Sequence, residues 1–183
     1  MKTESIVKYV ARLAITLLLI TSVVAAALAG INSITAPVIA QLKEAKLQNA
    51  INEVLPGGGE AVDFTDDTGW VSAVYQSESG YAVEVTPTTG FNGAITMMVG
   101  IDNDGKVLGI SVVSQTETAG LGAVCAATTS AGEGFRGQFA GMGGEIKVDK
   151  DGGDVDAITG ATITSRAVCD GINAALNCVA NMG

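Results

Sequence analysis

Residues 13–31 read LAITLLLITSVVAAALAGI, nineteen positions without a charge. A helix of that length spans about 28 Å, close to the hydrocarbon thickness of a bilayer. The hydroxyls within it, on Thr16, Thr21 and Ser22, can return their hydrogen bonds to the helix backbone. The next six residues, NSITAP, read as the exit from this span. Residues 38–55 place apolar side chains at helical spacing, and Pro56-Gly57-Gly58-Gly59 stops them. Short runs with turn signals follow, of which 80–85 alternates and 94–101 reads as buried. Residues 71–75, 80–85, 94–101 and 107–113 read as strands, the last pair joined by a turn with Asp104-Gly105 at its centre. Consecutive strands on tight turns predict an antiparallel sheet. Residues 123–131 read as a short helix, Phe135 and Phe139 as inward-facing rings, and 145–148 as a strand. Val168, Ile172, Ala175, Leu176 and Val179 then share one helical face, suited to docking on the sheet.

Charge sets the topology. Lys2, Lys8 and Arg12 precede the apolar run, opposed by Glu4 alone, and the next basic residue is Lys43. The excess of cations ahead of the span keeps the N-terminus in the cytoplasm and the remainder outside it. A cleaved signal peptide competes with a retained anchor, because Ala27-Leu28-Ala29 resembles an A-x-A cleavage site. The run exceeds the usual signal core of about 7–15 residues, which favours the anchor. From residue 32 on there are 7 basic and 18 acidic side chains, a net charge of −11. Such a surface is repelled by nucleic acid and by anionic lipid headgroups. The expected fold is α+β: one N-terminal transmembrane helix, then an extracytoplasmic domain with a mainly antiparallel sheet and flanking helices. The expected boundaries are 1–12 (cytoplasmic), 13–31 (anchor), 32–60 (helical linker) and 61–183 (domain), in a single-pass protein of the cell membrane.

Cys125, Cys169 and Cys178 show no C-x-x-C spacing and read as small buried residues. There is no His, which removes the imidazole base of Ser-His and Cys-His nucleophiles. No metal site is expected.

The most informative string is Asp156-Ala157-Ile158-Thr159-Gly160-Ala161-Thr162, followed by Ile163-Thr164-Ser165. It reads as a tight turn opening a helix, with Thr159 able to cap it. Unshielded amides at Gly160, Ala161, Thr162, Ile163 and Thr164 would make an anion site. By its bare physics, a capped helix with no ligand explains the same string.

The string resembles the D-x-x-[ST]-G-A-T acceptor motif of covalent flavin attachment. Together with residues 80–122, it is similar to the FMN-binding domain family of electron-transport complexes. The likeness is nearest to the G subunits of Rnf complexes, and the C subunit of the sodium-translocating NADH:quinone reductase is more distant. That resemblance implies covalent FMN on Thr162 through a phosphoester, with the motif read by a flavin transferase that uses FAD and a metal ion; Asp156 would aid that recognition. The family loop H-x-E-T-P-G-L-G appears here as Gln115-Thr116-Glu117-Thr118-Ala119-Gly120-Leu121-Gly122. By analogy, Glu117, Thr118, Gly120, Leu121 and Gly122 lie along the flavin, with Gln115 and Ala119 replacing the family His and Pro. Lys147 or Arg166 would add positive charge near the phosphate. The implied function is electron transfer within an ion-translocating ferredoxin:NAD oxidoreductase. Its implied partners are the other Rnf subunits, especially the multi-spanning one that carries FMN. Two alternatives are a stand-alone surface flavoprotein for extracellular electron transfer and a non-redox acidic binding module.

Overall fold

The computed structural model describes residues 2–182, with side-chain surroundings from residue 6. The chain divides into two units, the second beginning at Lys46. Helix α1 covers Lys2–Val54 and has Pro37 inside it. The stretch expected to leave the membrane as an exit segment, residues 32–37, is therefore helical. A proline removes one N–H and crowds one carbonyl in the turn before it. Ser33 Oγ and Thr35 Oγ1 donate to the carbonyls of Gly30 and Ile31, 2.8 and 3.0 Å away, short of Ser33 O, the carbonyl that Pro37 leaves without its helical donor. α1 is long and apolar enough to cross a membrane, with a mean hydropathy of 2.4 in its best window and no burial there.

The second unit is α+β. Strands β1 (Glu60–Val62), β2 (Val71–Ser77), β3 (Gly80–Val85), β4 (Thr96–Asp102) and β5 (Val107–Ser114) form one antiparallel meander in that order. β2 turns into β3 through two residues, with Ser77 opposite Gly80. Gly80 has φ +146°, and a Cβ there would collide with the Ile101 carbonyl on β4. The β4–β5 turn is held by Asp102, whose Oδ1 accepts from the amides of Asp104 and Lys106 at 2.9 and 2.8 Å.

Both faces of the sheet are covered. Val83, Val85, Met97, Val99 and Ile101 face a core shared with Phe135, Phe139, Ile172 and Ala175. Phe135 and Phe139 meet edge to face at 5.3 Å, as inward-facing rings should. Ala82 and Met98, one residue out of phase, lie under Ala50, Ile51, Val54 and Leu55 from the end of α1. Gly100 is on that second face, where a Cβ would run into the backbone of Val54.

After the sheet come a 3-10 turn (Gly122–Ala126), helix α2 (Ser130–Gly137), a second 3-10 turn (Asp149–Asp151) and helix α3 (Thr162–Ala180). The helix expected over 123–131 is thus split, and α2 begins where Thr129 accepts from Gly132 N–H as its N-cap. Residues 145–148 do not join the sheet. Instead Asn173 Nδ2 donates to Ile146 O and its Oδ1 accepts from Ile146 N, both at 2.8 Å. One amide side chain on α3 thereby imitates a strand neighbour, and the alternation of those residues looks like a strand's without a ladder.

Candidate functional site

The sequence Ile158-Thr159-Gly160-Ala161 makes the turn that starts α3. Gly160 takes φ +75°, open to glycine, and Ala161 N–H donates to Ile158 O at 2.9 Å. Ser165, fully buried, ties this turn to the helix: its Oγ accepts from Ile158 N at 3.0 Å and donates to Ala161 O at 3.1 Å. The helix cap is Ala161, without a side-chain cap bond. Thr159, expected to cap the helix, is exposed and lies two residues too early; Ser165 anchors the turn from inside.

The first main-chain bond of the helix runs from Ser165 N–H to Ala161 O. The amides of Thr162, Ile163 and Thr164 therefore sit at the open end of α3, with no acidic residue in the first turn. This is the positive end of the helix dipole. A cavity of about 320 Å³ opens there, lined by Phe91, Glu117, Thr118, Leu121, Gly122, Gly160, Ala161, Thr162, Ile163 and Thr164. Nine of these ten come from the two segments singled out in the sequence. Phe91 was missed; it stands in the loop between β3 and β4, which reads from sequence only as a glycine-flanked turn. Phe91, Leu121 and Ile163 are 66, 44 and 46% exposed, so the rim is both apolar and open.

Glu117 holds three segments together beneath this cavity. It is 8% exposed. One carboxylate oxygen accepts from the amide of Asn92 at 2.9 Å, and the other accepts from the hydroxyl of buried Thr164 at 2.7 Å. Gln115, which stands where the related loops have His, turns its Oε1 onto Glu117 N–H at 2.5 Å and braces the loop. Thr118 O accepts from Leu121 N–H at 3.1 Å, closing a turn with Ala119 and Gly120 (φ +76°) at its centre. A positive φ at the third position makes it a type II turn, which suits the proline of the related loops at the second. Gly122 is needed for the carboxylate: a Cβ there would meet Thr164 Oγ1 and lie 2.6 Å from Glu117 Oε2.

The other residues singled out are placed elsewhere. Gly120, Asp156 and Thr159 line a neighbouring cavity with Phe135 and Gln138. Lys147 pairs with Glu145 at 2.8 Å and Arg166 grips Asp151 with two bonds of 2.6 and 2.7 Å, so neither lines the Thr162 cavity. The cation beside Thr162 is Lys150, whose Nζ donates to Thr162 Oγ1 at 3.0 Å. Among the described residues, no carboxylate contacts that hydroxyl. The three cysteines are free and buried, and burial pushes the thiols of Cys125 and Cys169 up to about 11 and about 12.

The structure shows an antiparallel meander with a hydroxyl-bearing helix start over an apolar groove, and comparison with known proteins gives the class of domain. Residues 90–177 match the FMN-binding domain family and residues 1–54 the RnfG N-terminal region. The G subunit of the Na⁺-translocating ferredoxin:NAD⁺ oxidoreductase complex of Acetobacterium woodii is 32% identical over 96% of this chain and 94% of its own. The G subunit of the proton-translocating ferredoxin:NAD⁺ oxidoreductase complex of Clostridium ljungdahlii is 35% identical, covering 81% of this chain and 80% of its own. The G subunit of the ion-translocating oxidoreductase complex of Methanosarcina acetivorans is 33% identical over 94 and 95%. The chain belongs to the G-subunit family of Rnf ion-translocating oxidoreductase complexes.

Proposed function

We propose that this chain is an electron-transfer subunit of a membrane-bound, ion-translocating ferredoxin:NAD oxidoreductase of the Rnf type, and that it carries FMN as a phosphoester on Thr162. The observation that carries this reading is the Thr162 side chain. It opens α3, beside three amides free to accept an anion, at the mouth of an apolar cavity. A phosphate there meets amide donors and the positive end of the helix. A ring system joined to it has Phe91, Leu121 and Ile163 to lie against. At about 320 Å³ the groove is at the small end of the roughly 300–1,000 Å³ of ligand sites, and its exposed rim would leave a bound ring open to a redox partner. When bound, FMN supplies the electron chemistry, and the chain needs no acid or base of its own.

Glu117 and Gly122 act here as the frame of the groove, and Gly160 and Ala161 as the turn that presents the amides of Thr162, Ile163 and Thr164, the Ala161 amide itself being bound to Ile158 O. In this reading Asp156 and Thr159, both exposed, belong to the outer face of the acceptor motif, read by the flavin transferase during maturation, and Gly120 of the neighbouring loop lies beside them. Lys147 contributes to the local charge only. Residues 13–31 anchor the chain, with 1–12 in the cytoplasm by the charge rule and residues 61–183 outside, joined through 32–60. Outside the cytoplasm a dissociated cofactor would be lost, and a covalent link prevents that. The partners are the other subunits of the complex, above all the multi-spanning one that carries FMN.

The test is intact mass and peptide mapping of protein from its own host's membranes. The expected result is an added mass of FMN less one water on the peptide containing Thr162, absent in Thr162→Val. An unmodified peptide from a host that possesses the transferase would overturn the reading.

A further inference from the structure

Three cations stand near the start of α3, and two are committed. Lys147 is paired with Glu145 and Arg166 with Asp151. Lys150 differs. It is exposed, on the 3-10 turn Asp149–Asp151, and among the described residues no carboxylate pairs with it. Its ammonium is instead 3.0 Å from Thr162 Oγ1. That placement is built. The turn is closed by Asp151 N–H on Val148 O at 2.9 Å, and Asp149 N–H donates to Val155 O at 2.7 Å. Asp149 Oδ1 also accepts from Ala157 N at 3.3 Å, joining the turn to the acceptor motif. In a domain whose net charge is strongly negative, Asp149, Asp151, Asp154 and Asp156 would all oppose an anion at this end of the helix. One ammonium points the other way.

We propose that Lys150 is the positioning residue and counter-cation of the flavin phosphoester; this rests on the assignment of Thr162 as acceptor. Before modification, a Lys150 N–H occupies one lone pair of Thr162 Oγ1 and fixes the rotamer of the side chain. In the transfer, a bond forms between Thr162 Oγ1 and the FMN-side phosphorus of FAD, the pyrophosphate P–O bond breaks, and AMP leaves. The hydroxyl proton passes to a base of the transferase, and no electrons are exchanged. The ammonium lowers the energy of the negative charge that grows on Oγ1, and afterwards neutralises the phosphodiester that takes the hydroxyl's place.

The test uses the full-length chain in detergent micelles, made in a host without the flavin transferase and then incubated with the transferase, FAD and Mg²⁺. Initial rates are read from covalent flavin fluorescence for the wild type, K150Q, K150R and T162V, and the products are compared by ³¹P NMR. K150Q should slow modification about fivefold, at the upper end for an exposed charge. K150R should recover most of that rate, and the phosphodiester resonance should move in K150Q. K150Q modified at the wild-type rate, equal slowing in both Lys150 variants, or an unmoved ³¹P resonance would each overturn the role of Lys150, while the Thr162 assignment stands. A wild-type chain that is not modified, or T162V modified like the wild type, would overturn the Thr162 assignment and Lys150's role with it.

Discussion

Gly122→Ala tests whether the groove is organised by the Glu117 carboxylate. The new methyl would overlap Thr164 Oγ1 and come within 2.6 Å of Glu117 Oε2, so the Thr164–Glu117 bond cannot survive. A hydrogen bond to a charged group contributes about 1.5–3 kcal/mol, and overpacking adds about 1–3 kcal/mol, giving a loss of roughly 2.5–6 kcal/mol. Glu117→Ala breaks the same bond from the other side. It strands the hydroxyl of Thr164, which is 1% exposed, and frees the amide of Asn92, for roughly 2–4 kcal/mol. In the double variant the bond is lost only once and the contact with Glu117 Oε2 is gone, while Thr164 Oγ1 and the Cβ at 117 still face the new methyl. The combined loss should therefore fall short of the sum by about 1.5 kcal/mol or more. Urea unfolding of the full chain in micelles measures this, followed by the fluorescence of Trp70, the single tryptophan. Additivity within about 0.5 kcal/mol would refute the idea that Gly122 makes room for Glu117.

Ala119→Pro places proline at the second position of the Thr118–Leu121 turn, where no bond uses the Ala119 amide, and should raise stability by about 0.4–1 kcal/mol; a lower urea midpoint would show that the turn cannot accept the ring. Burial pushes the Asp66 carboxyl up, but hydrogen bonds from the amides of Val71 and Thr68 and the Thr68 hydroxyl outweigh it and hold it below its ordinary value. A lowered folded-state pKa stabilises above the unfolded value near 3.8, and that contribution is lost as pH falls through the folded value. Asp66→Asn should flatten the acid limb of stability against pH, and parallel limbs for variant and wild type would contradict this. Cys125 and Cys169, with thiols pushed up by burial to about 11 and about 12, should resist iodoacetamide at pH 8 in the folded protein and react in urea; fast labelling without denaturant would count against their burial.

The strands were legible because the alternation of β3 and the apolar run of β4 are bounded by turns whose chemistry is local, such as Asp104-Gly105. α3 was legible from its apolar stripe. What escaped depends on contacts between distant segments. The stretch containing Ile146 alternates like a strand, but its partner is Asn173, twenty-seven residues away and on a helix. Thr159 looks like a cap by type and position, yet Ser165 holds the turn from the core. Pro37 marks a break by propensity alone, yet α1 runs through it. Phe91 and Lys150 carry no local signal at all. Each reaches the Thr162 site because a loop folds back to it, Phe91 through Asn92 on Glu117 and Lys150 through the 3-10 turn.

The far face of the sheet is closed by Ala50, Ile51, Val54 and Leu55, which lie upstream of the Pro-Gly-Gly-Gly break. The conspicuous change of composition near residue 60 is therefore a poor place to cut the gene. A soluble version begun there would bare Ala82 and Met98, and with them a greasy patch that recruits dyes, detergent or other copies of itself. A version begun at Lys46 keeps the cover in place. The helix that supplies the membrane span also ends as part of the domain's interior, so expression boundaries here should follow packing instead of hydropathy.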